Sequence, residues 1–403
     1  MLELKGKFNE AKVFTDNIEG ECISQIIELL NQEAFKDAKI RIMPDCHAGA
    51  GCVIGFTGNL GDKVIPNIVG TDIGCGMYCI ELGKVDLDLE FIDKAINQYV
   101  PSGAETHKSR IVKFDKLQEL YCYRDLKDTK RIEKSIGTLG GGNHFIEINE
   151  DENGVKYLVI HTGSRNLGKQ VAEYYQHLAI ELLSGKDELF KKQQEIIADY
   201  KAKGKKKEIE AAIKKLHSEF KMKKPNVPDP LCYLTGEYRD KYIHDMGICQ
   251  EYANLNRKTI AKIILDKCNL NAVNSFTTMH NYIDIENNII RKGSIAAYEN
   301  DIVLIPINMR DGSLICRGKG NPDWNYSAPH GAGRIMSRSK AKDNVTLEDF
   351  EKSMEGIYTT SVCQSTIDES PMVYKPMEEI MENIKDTVDI LKVIKPIYNF
   401  KEH

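Results

Sequence analysis

Short apolar runs at residues 39–43, 78–81, 144–148, 157–160 and 302–305 alternate or cluster as strands do, and several end on polar loops. Residues 282–297, with Asn287-Asn288 in the middle, predict a hairpin. A period of three to four replaces the alternation over 21–34, 168–183, 235–265 and 377–394, which predicts helices with one apolar face. Residues 187–224 predict a protruding helical pair, and Pro225, Pro228 and Pro230 mark the return to the core. With no internal repeat and no composition break, the expectation is one large α+β domain over 1–403. Its sheets are mixed, and the helical pair is an insertion at about 187–224.

Glycine placement adds to this picture. Clusters at 49–51, 74–76, 137–142, 163–168, 312–320 and 331–333 each abut a His, Asp or Cys. Glycine lets backbone approach a ligand closely, so the clusters predict one composite site assembled from many loops.

Composition narrows the function classes. Lys and Arg total 55 against 60 Asp and Glu, a formal charge of −5, which does not suit a general nucleic-acid coat. Residues 201–224 break the pattern with ten Lys against three Glu, either a solvated helical face or an arm that touches RNA. No apolar stretch approaches membrane-spanning length. The start, Met1-Leu2-Glu3-Leu4-Lys5, has no signal-peptide pattern, so a cytoplasmic protein is expected. Eleven cysteines without a secretory signal point to a metal ligand or nucleophile rather than a disulfide framework. The phosphate-loop, dinucleotide, H-E-x-x-H and C-x-x-C signatures are absent.

Five of the ten histidines, His47, His144, His161, His280 and His330, sit in glycine-rich or otherwise special contexts. Asp72 and Cys75 place a carboxylate and a thiolate on one tight turn. With neutral imidazoles these make a dense metal-ligand set, and a thiolate can bridge two ions. Cys46, Cys52 and the other cysteines are expected to be small buried residues. Trp324 is expected to be a packed loop aromatic.

Val69-Gly70-Thr71-Asp72-Ile73-Gly74-Cys75-Gly76-Met77 and Gly137-Thr138-Leu139-Gly140-Gly141-Gly142-Asn143-His144-Phe145-Ile146-Glu147 resemble motifs of the RNA-splicing ligase RtcB family. So do His161-Thr162-Gly163-Ser164-Arg165, His280-Asn281-Tyr282 and Ser327-Ala328-Pro329-His330-Gly331-Ala332-Gly333-Arg334, in matching order from about Met43 to Lys401. The resemblance implies a ligase that joins RNA bearing a 2′,3′-cyclic phosphate or 3′-phosphate to RNA with a 5′-OH, using GTP and two Mn²⁺. An activating protein partner is conceivable, and the biological RNA is left open.

The resemblance also assigns residues. His330 becomes the guanylylated nucleophile and Asp45 the carboxylate that orients it. Asp72, Cys75 (bridging), His144, His161 and His280 become metal ligands. The nucleotide would meet Asn143, His144, Phe145, Ile146, Glu147, His280, Asn281, Pro306, Ile307, Asn308, Met309 and Ser313. His330, Gly331, Ala332, Gly333, Tyr374 and Lys401 complete that set. Arg165 and Arg334 would hold RNA phosphates, while Arg338 fits that role or a surface helix equally. Lys401, near the C-terminus, is expected to carry little core. The donor atoms alone would favour zinc, and manganese comes only with the resemblance. The family usually reads Pro-Gly-Ser-Met-Gly where this chain has Pro306-Ile307-Asn308-Met309-Arg310, which touches the nucleotide contacts and not the metal site. The rival readings are a binuclear phosphoesterase that opens cyclic phosphates and a non-catalytic RNA-end-binding protein.

Overall fold

The computed structural model describes residues 1–402. One sheet runs, in spatial order, Leu2–Lys5, Glu10–Val13, Ile40–His47, Ile54–Asn59, Ile289–Lys292 and Asn281–Asp284. Its pairs are antiparallel except Glu10–Val13 with Ile40–His47. The second sheet runs Asn274–Met279, Gly76–Gly83, Lys156–Thr162, Phe145–Glu150, Val388–Phe400, Gly312–Gly318 and Ile302–Asn308, with Tyr358–Thr359 added parallel to Val388–Phe400. The fold is α+β with mixed sheets. Each of the five expected strands forms, as does the hairpin, with Asn288 in the left-handed conformation at its turn (φ 56°).

The helix Gly236–Cys268 joins the two halves of the core. Tyr242, Met246 and Tyr252 pack with Ile42, Val69 and Val171 beside the first sheet. Further along the same helix, Ile260 and Ile264 pack with Ile80, Ile146 and Ile160 of the second. The helices Gly20–Leu30 and Arg165–Leu183 also form where periodicity placed them.

The expected helix at 377–394 is corrected. Only Met377–Asn383 is helical, and Val388–Phe400 is a strand. Val388, Ile394, Tyr398 and Phe400 are buried, contributing to core clusters on both faces of the sheet, and two bulges interrupt the strand's alternation. The strand lies between Gly312–Gly318 and Phe145–Glu150, and those ladders satisfy its backbone in a way an isolated helix could not. The expected helical pair appears as Lys186–Ala202 and Ile209–Glu219, neither of which buries a residue. Trp324 stacks on Phe14 with ring centroids 3.7 Å apart, a packed aromatic as expected. Among the described residues no helix is long and apolar enough to cross a membrane.

Candidate active site and metal centre

Strand register gathers the metal-type donors. Met279 pairs with Gly76, Gly76 with Thr162, and His161 with Phe145. His280, Cys75, His161 and His144 therefore meet at one end of four adjacent strands. Two triads of donor atoms result, Cys75-His161-His280 and Asp72-Cys75-His144, with the donors of each lying within 4.8 Å of one another. Cys75 belongs to both, as a bridging thiolate would. Gly163 borders the cluster where a Cβ would collide with the Asp72 carboxylate.

The hydrogen bonds of these histidines decide which nitrogen is available. His144 Nδ1 faces the Leu139 carbonyl at 2.9 Å and His161 Nδ1 faces the Asn143 carbonyl at 3.0 Å. A carbonyl only accepts, so Nδ1 carries the proton and Nε2 offers a lone pair. His144 Nε2 then lies 2.8 Å from Asp72 Oδ2, while His161 Nε2 lies 3.2 Å from Cys75 Sγ and 3.4 Å from His280 Nε2. Donor atoms converging at these separations fit a pair of metal ions. Burial above all holds His161 and His280 well below the usual imidazole range, which keeps them neutral. Burial and then the Asp72 charge push the Cys75 thiol well up, so an arriving ion must displace its proton.

Behind the cluster, helix Gly236–Cys268 contributes two residues that the sequence reading missed. Arg257 is fully buried and donates from Nη1 to the carbonyls of Gly74 and Thr162, both at 2.8 Å. Asn256 accepts from the Gly137 and Thr138 N–H groups and donates to the carbonyls of Thr138 and Gly163. One helical turn thus pins the three glycine-rich loops that carry the ligands. The sequence signal was polar residues, Asn256 and Arg257 with Asp245 and Thr259, among the apolar ones of the buried helix face.

His330 stands beside this cluster, its ring centroid 4.8 Å from that of His280. Asp45 Oδ2 accepts from His330 Nδ1 at 2.7 Å and from the backbone N–H of His330 and Gly331 at 3.1 Å each. The Asp45 side chain is completely buried, and Gly333 (φ 75°) packs where a Cβ would press on the Asp45 carbonyl. With Nδ1 bound, His330 Nε2 is the free nitrogen. His47 also lines the cavity, and burial pushes its pKa down to about 4. All five histidines singled out from sequence therefore meet in one region.

A cavity of about 540 Å³ opens over these residues, within the range of small-molecule sites. Asn143, Phe145, Glu147, Asn281, Pro306, Ile307, Asn308, Met309, Gly331, Ala332, Gly333, Tyr374 and Lys401, assigned to the nucleotide from sequence, line it, as does Arg334, assigned to RNA phosphate. Of the other expected contacts, His144 lies off the cavity wall within the donor cluster, and three more lie elsewhere. Ile146 is fully buried in the hydrophobic core, because strand alternation turns it away from the face shared by Phe145 and Glu147. Ser313 is buried in the sheet opposite Pro306 and off the cavity wall. The Arg165 guanidinium is committed to Thr138 Oγ1 at 3.1 Å and to the Gly103 carbonyl at 2.7 Å.

Lys401 needs a correction too. Far from carrying little core, it is 3% exposed and donates to Glu369 Oε2 at 3.0 Å. Glu369, unremarked in the sequence, is the hub of this wall. Tyr374 Oη donates to the same oxygen at 2.9 Å, and Arg338 Nη2 and Arg334 Nη1 approach Oε1 at 2.9 and 3.6 Å. Burial opposes ionisation, yet Lys401 and Arg338 hold the Glu369 carboxyl below its usual range. Arg338 thus belongs to the cavity wall. The departure at Ile307 to Arg310 forms a β-bulge in which Asn308 Oδ1 accepts from the N–H groups of Arg310 and Asp311. Lys292, also missed, is buried in the same wall and donates to the carbonyls of Ala50, Cys52 and Asn67.

Comparison with known proteins agrees with this geometry. The model of the family described as tRNA-splicing ligase RtcB matches residues 31–127 and 119–402. The chain is 28% identical to the RNA-splicing ligase RtcB of Escherichia coli, over 94% of each chain. It is 26% identical to the tRNA-splicing ligase RtcB of Aeropyrum pernix, over 85% of this chain and 83% of that protein. It is also 26% identical to the tRNA-splicing ligase RtcB of Methanococcus maripaludis, over 94% of this chain and 91% of that one.

Proposed function

The chain belongs to the RtcB family of RNA ligases, and on that premise we propose that it joins RNA ending in a 2′,3′-cyclic phosphate or 3′-phosphate to RNA with a 5′-OH. GTP is the energy source and a covalent His330–GMP the intermediate, in the cytoplasm, in RNA splicing or repair. The observation that carries this reading is the His330–Asp45 hydrogen bond beside the metal-type donor cluster.

Asp45 fixes the His330 ring with Nδ1–H bound and Nε2 free to attack. Neutral imidazole is a competent nucleophile near neutral pH, and its phosphoramidate is reactive enough to pass the nucleotide on. Nε2 bonds to the α-phosphorus of GTP, and pyrophosphate leaves. An oxygen of the RNA 3′-phosphate then takes the GMP, freeing His330 and activating the end; a cyclic phosphate must first be opened by water. The 5′-OH attacks that activated phosphate and GMP leaves. Asp72, Cys75, His144, His161 and His280 would hold two divalent ions, which would supply charge neutralisation at the phosphoryl oxygens. The resemblance, rather than the donor set, favours Mn²⁺. Lys401, Tyr374 and Glu147 line the same cavity and are the residues assigned to guanine, while Arg338 and Arg334, the latter also donating to the Met336 and Asp368 carbonyls, bring positive charge for RNA phosphate.

The test is incubation with defined RNA ends, GTP and Mn²⁺, followed by resolution of the products. Joined RNA, dependent on GTP and on a 5′-OH end, is expected. Opened cyclic phosphate without joining would support a phosphoesterase instead.

A further inference from the structure

The helical arm of residues 186–224 has a charge opposite to that of the rest of the chain, concentrated in the turn at 203–208 and the return at 221–224, while its helices Lys186–Ala202 and Ile209–Glu219 are each neutral. Residues 201–224 carry a net +7, so a chain of −5 overall leaves −12 on everything else. All ten of their lysines are exposed. Lys203, Lys205, Lys215 and Lys223 pair with nearby carboxylates. Lys201, Lys206, Lys207, Lys214, Lys221 and Lys224 have no ion-pair partner among the described residues. Only Lys201 and Lys214 of these six lie within the two helices, and no residue of 186–224 enters a core cluster. Nothing in the packing of the fold accounts for this charge.

The arm's position supplies a partner. Helix Arg165–Leu183 starts beside the donor cluster, three residues after Thr162, and ends at the root of the arm, where Lys223 N–H donates to the Ser184 carbonyl. Its 19 residues span about 28 Å at 1.5 Å per residue. A polyanion with one end in the cavity reaches the arm if it spans that length, a duplex does so without the entropy cost of holding a flexible strand extended, and the acidic remainder of the surface repels it elsewhere. We propose that the arm docks the duplex body of an RNA whose broken end lies in the cavity, through lysine contacts to its phosphates. The proposal rests on the RNA-end-joining reading above. It adds a preference for ends carried on a duplex of about ten base pairs or more, without sequence readout.

The experiment compares the wild-type chain with a variant in which Lys201, Lys206, Lys207, Lys214, Lys221 and Lys224 are all changed to Gln, which preserves helix propensity. Binding of a labelled RNA stem-loop with a 3′-phosphate overhang is measured against salt, without GTP. Joining of six-nucleotide single strands is measured separately. The wild type should bind the stem-loop at least tenfold more tightly, with a salt slope steeper by several units, since each phosphate-contacting lysine contributes about one. Short strands should be joined equally by both proteins. Equal stem-loop affinity and slope would overturn the arm's role, even if the wild type selected an acidic protein instead of RNA. Failure of both proteins to join short strands would count against the ligase reading alone, because the binding comparison needs no chemistry.

Discussion

Asp45 and His330 lie 285 positions apart and share a 2.7 Å hydrogen bond from imidazole Nδ1 to a carboxylate oxygen that also takes two backbone N–H groups. The strand Ile40–His47 thereby fixes both the tautomer and the aim of the nucleophile. Asp45→Asn keeps the shape but presents an amide donor where an acceptor is needed. Transfer of GMP to the protein should slow by about 10²–10⁴-fold, as when a histidine loses its orienting carboxylate elsewhere. Metal content should not change, since Asp45 is not in either donor triad. Rapid-quench labelling alongside metal analysis checks both.

Cys75 is the donor common to both triads. Cys75→Ala should leave at most one tightly bound ion per chain, read by metal analysis after gel filtration. Two retained ions would remove the bridging role.

Glu369 opposes three cations from inside the protein. Glu369→Gln removes the charge they share, although Arg338 keeps Asp368 at 2.7 Å, and should cost about 3 kcal/mol of stability. Adding Lys401→Met should recover part of that loss, because one of the stranded charges is then gone. Denaturant unfolding of the two variants measures the difference. Lys401→Met alone should lower both GTP use and stability.

Glu147 gives the pocket a pH dependence. Burial raises its pKa from 4.5 to about 7. Between those values the unfolded chain has already released the proton that the folded chain keeps, so stability falls as pH rises. The loss is on the order of 3 kcal/mol and is complete above pH 7. In metal-free protein, Glu147→Gln should flatten the decline in Tm between pH 4.5 and 7. Coincident profiles for variant and wild type would exclude this assignment.

The candidate site was legible in the sequence wherever glycine flanked a ligand. Asp72, Cys75, His144, His161 and His330 have that signature, His280 lacks it and was found through its motif, and the structure brings all six together. Residues that act at a distance had no local signature. Asn256 reaches loops 118 and 119 positions away, and Glu369 meets Lys401 across 32. Ile146 was included because it sits inside a motif, and alternation along its strand removes it from the cavity. The spacing of apolar residues at 377–394 fits both periods, and only pairing with Gly312–Gly318 decides for a strand at Val388–Phe400.

The central claim is that His330 carries GMP, and covalent labelling tests it most directly. The protein, loaded with both ions, is incubated with α-labelled GTP and no RNA, and the modified peptide is mapped. The account predicts an acid-labile, alkali-stable label on His330 that His330→Ala abolishes. A wild-type protein that stays unlabelled with both ions bound, or a label that persists in His330→Ala, would contradict it.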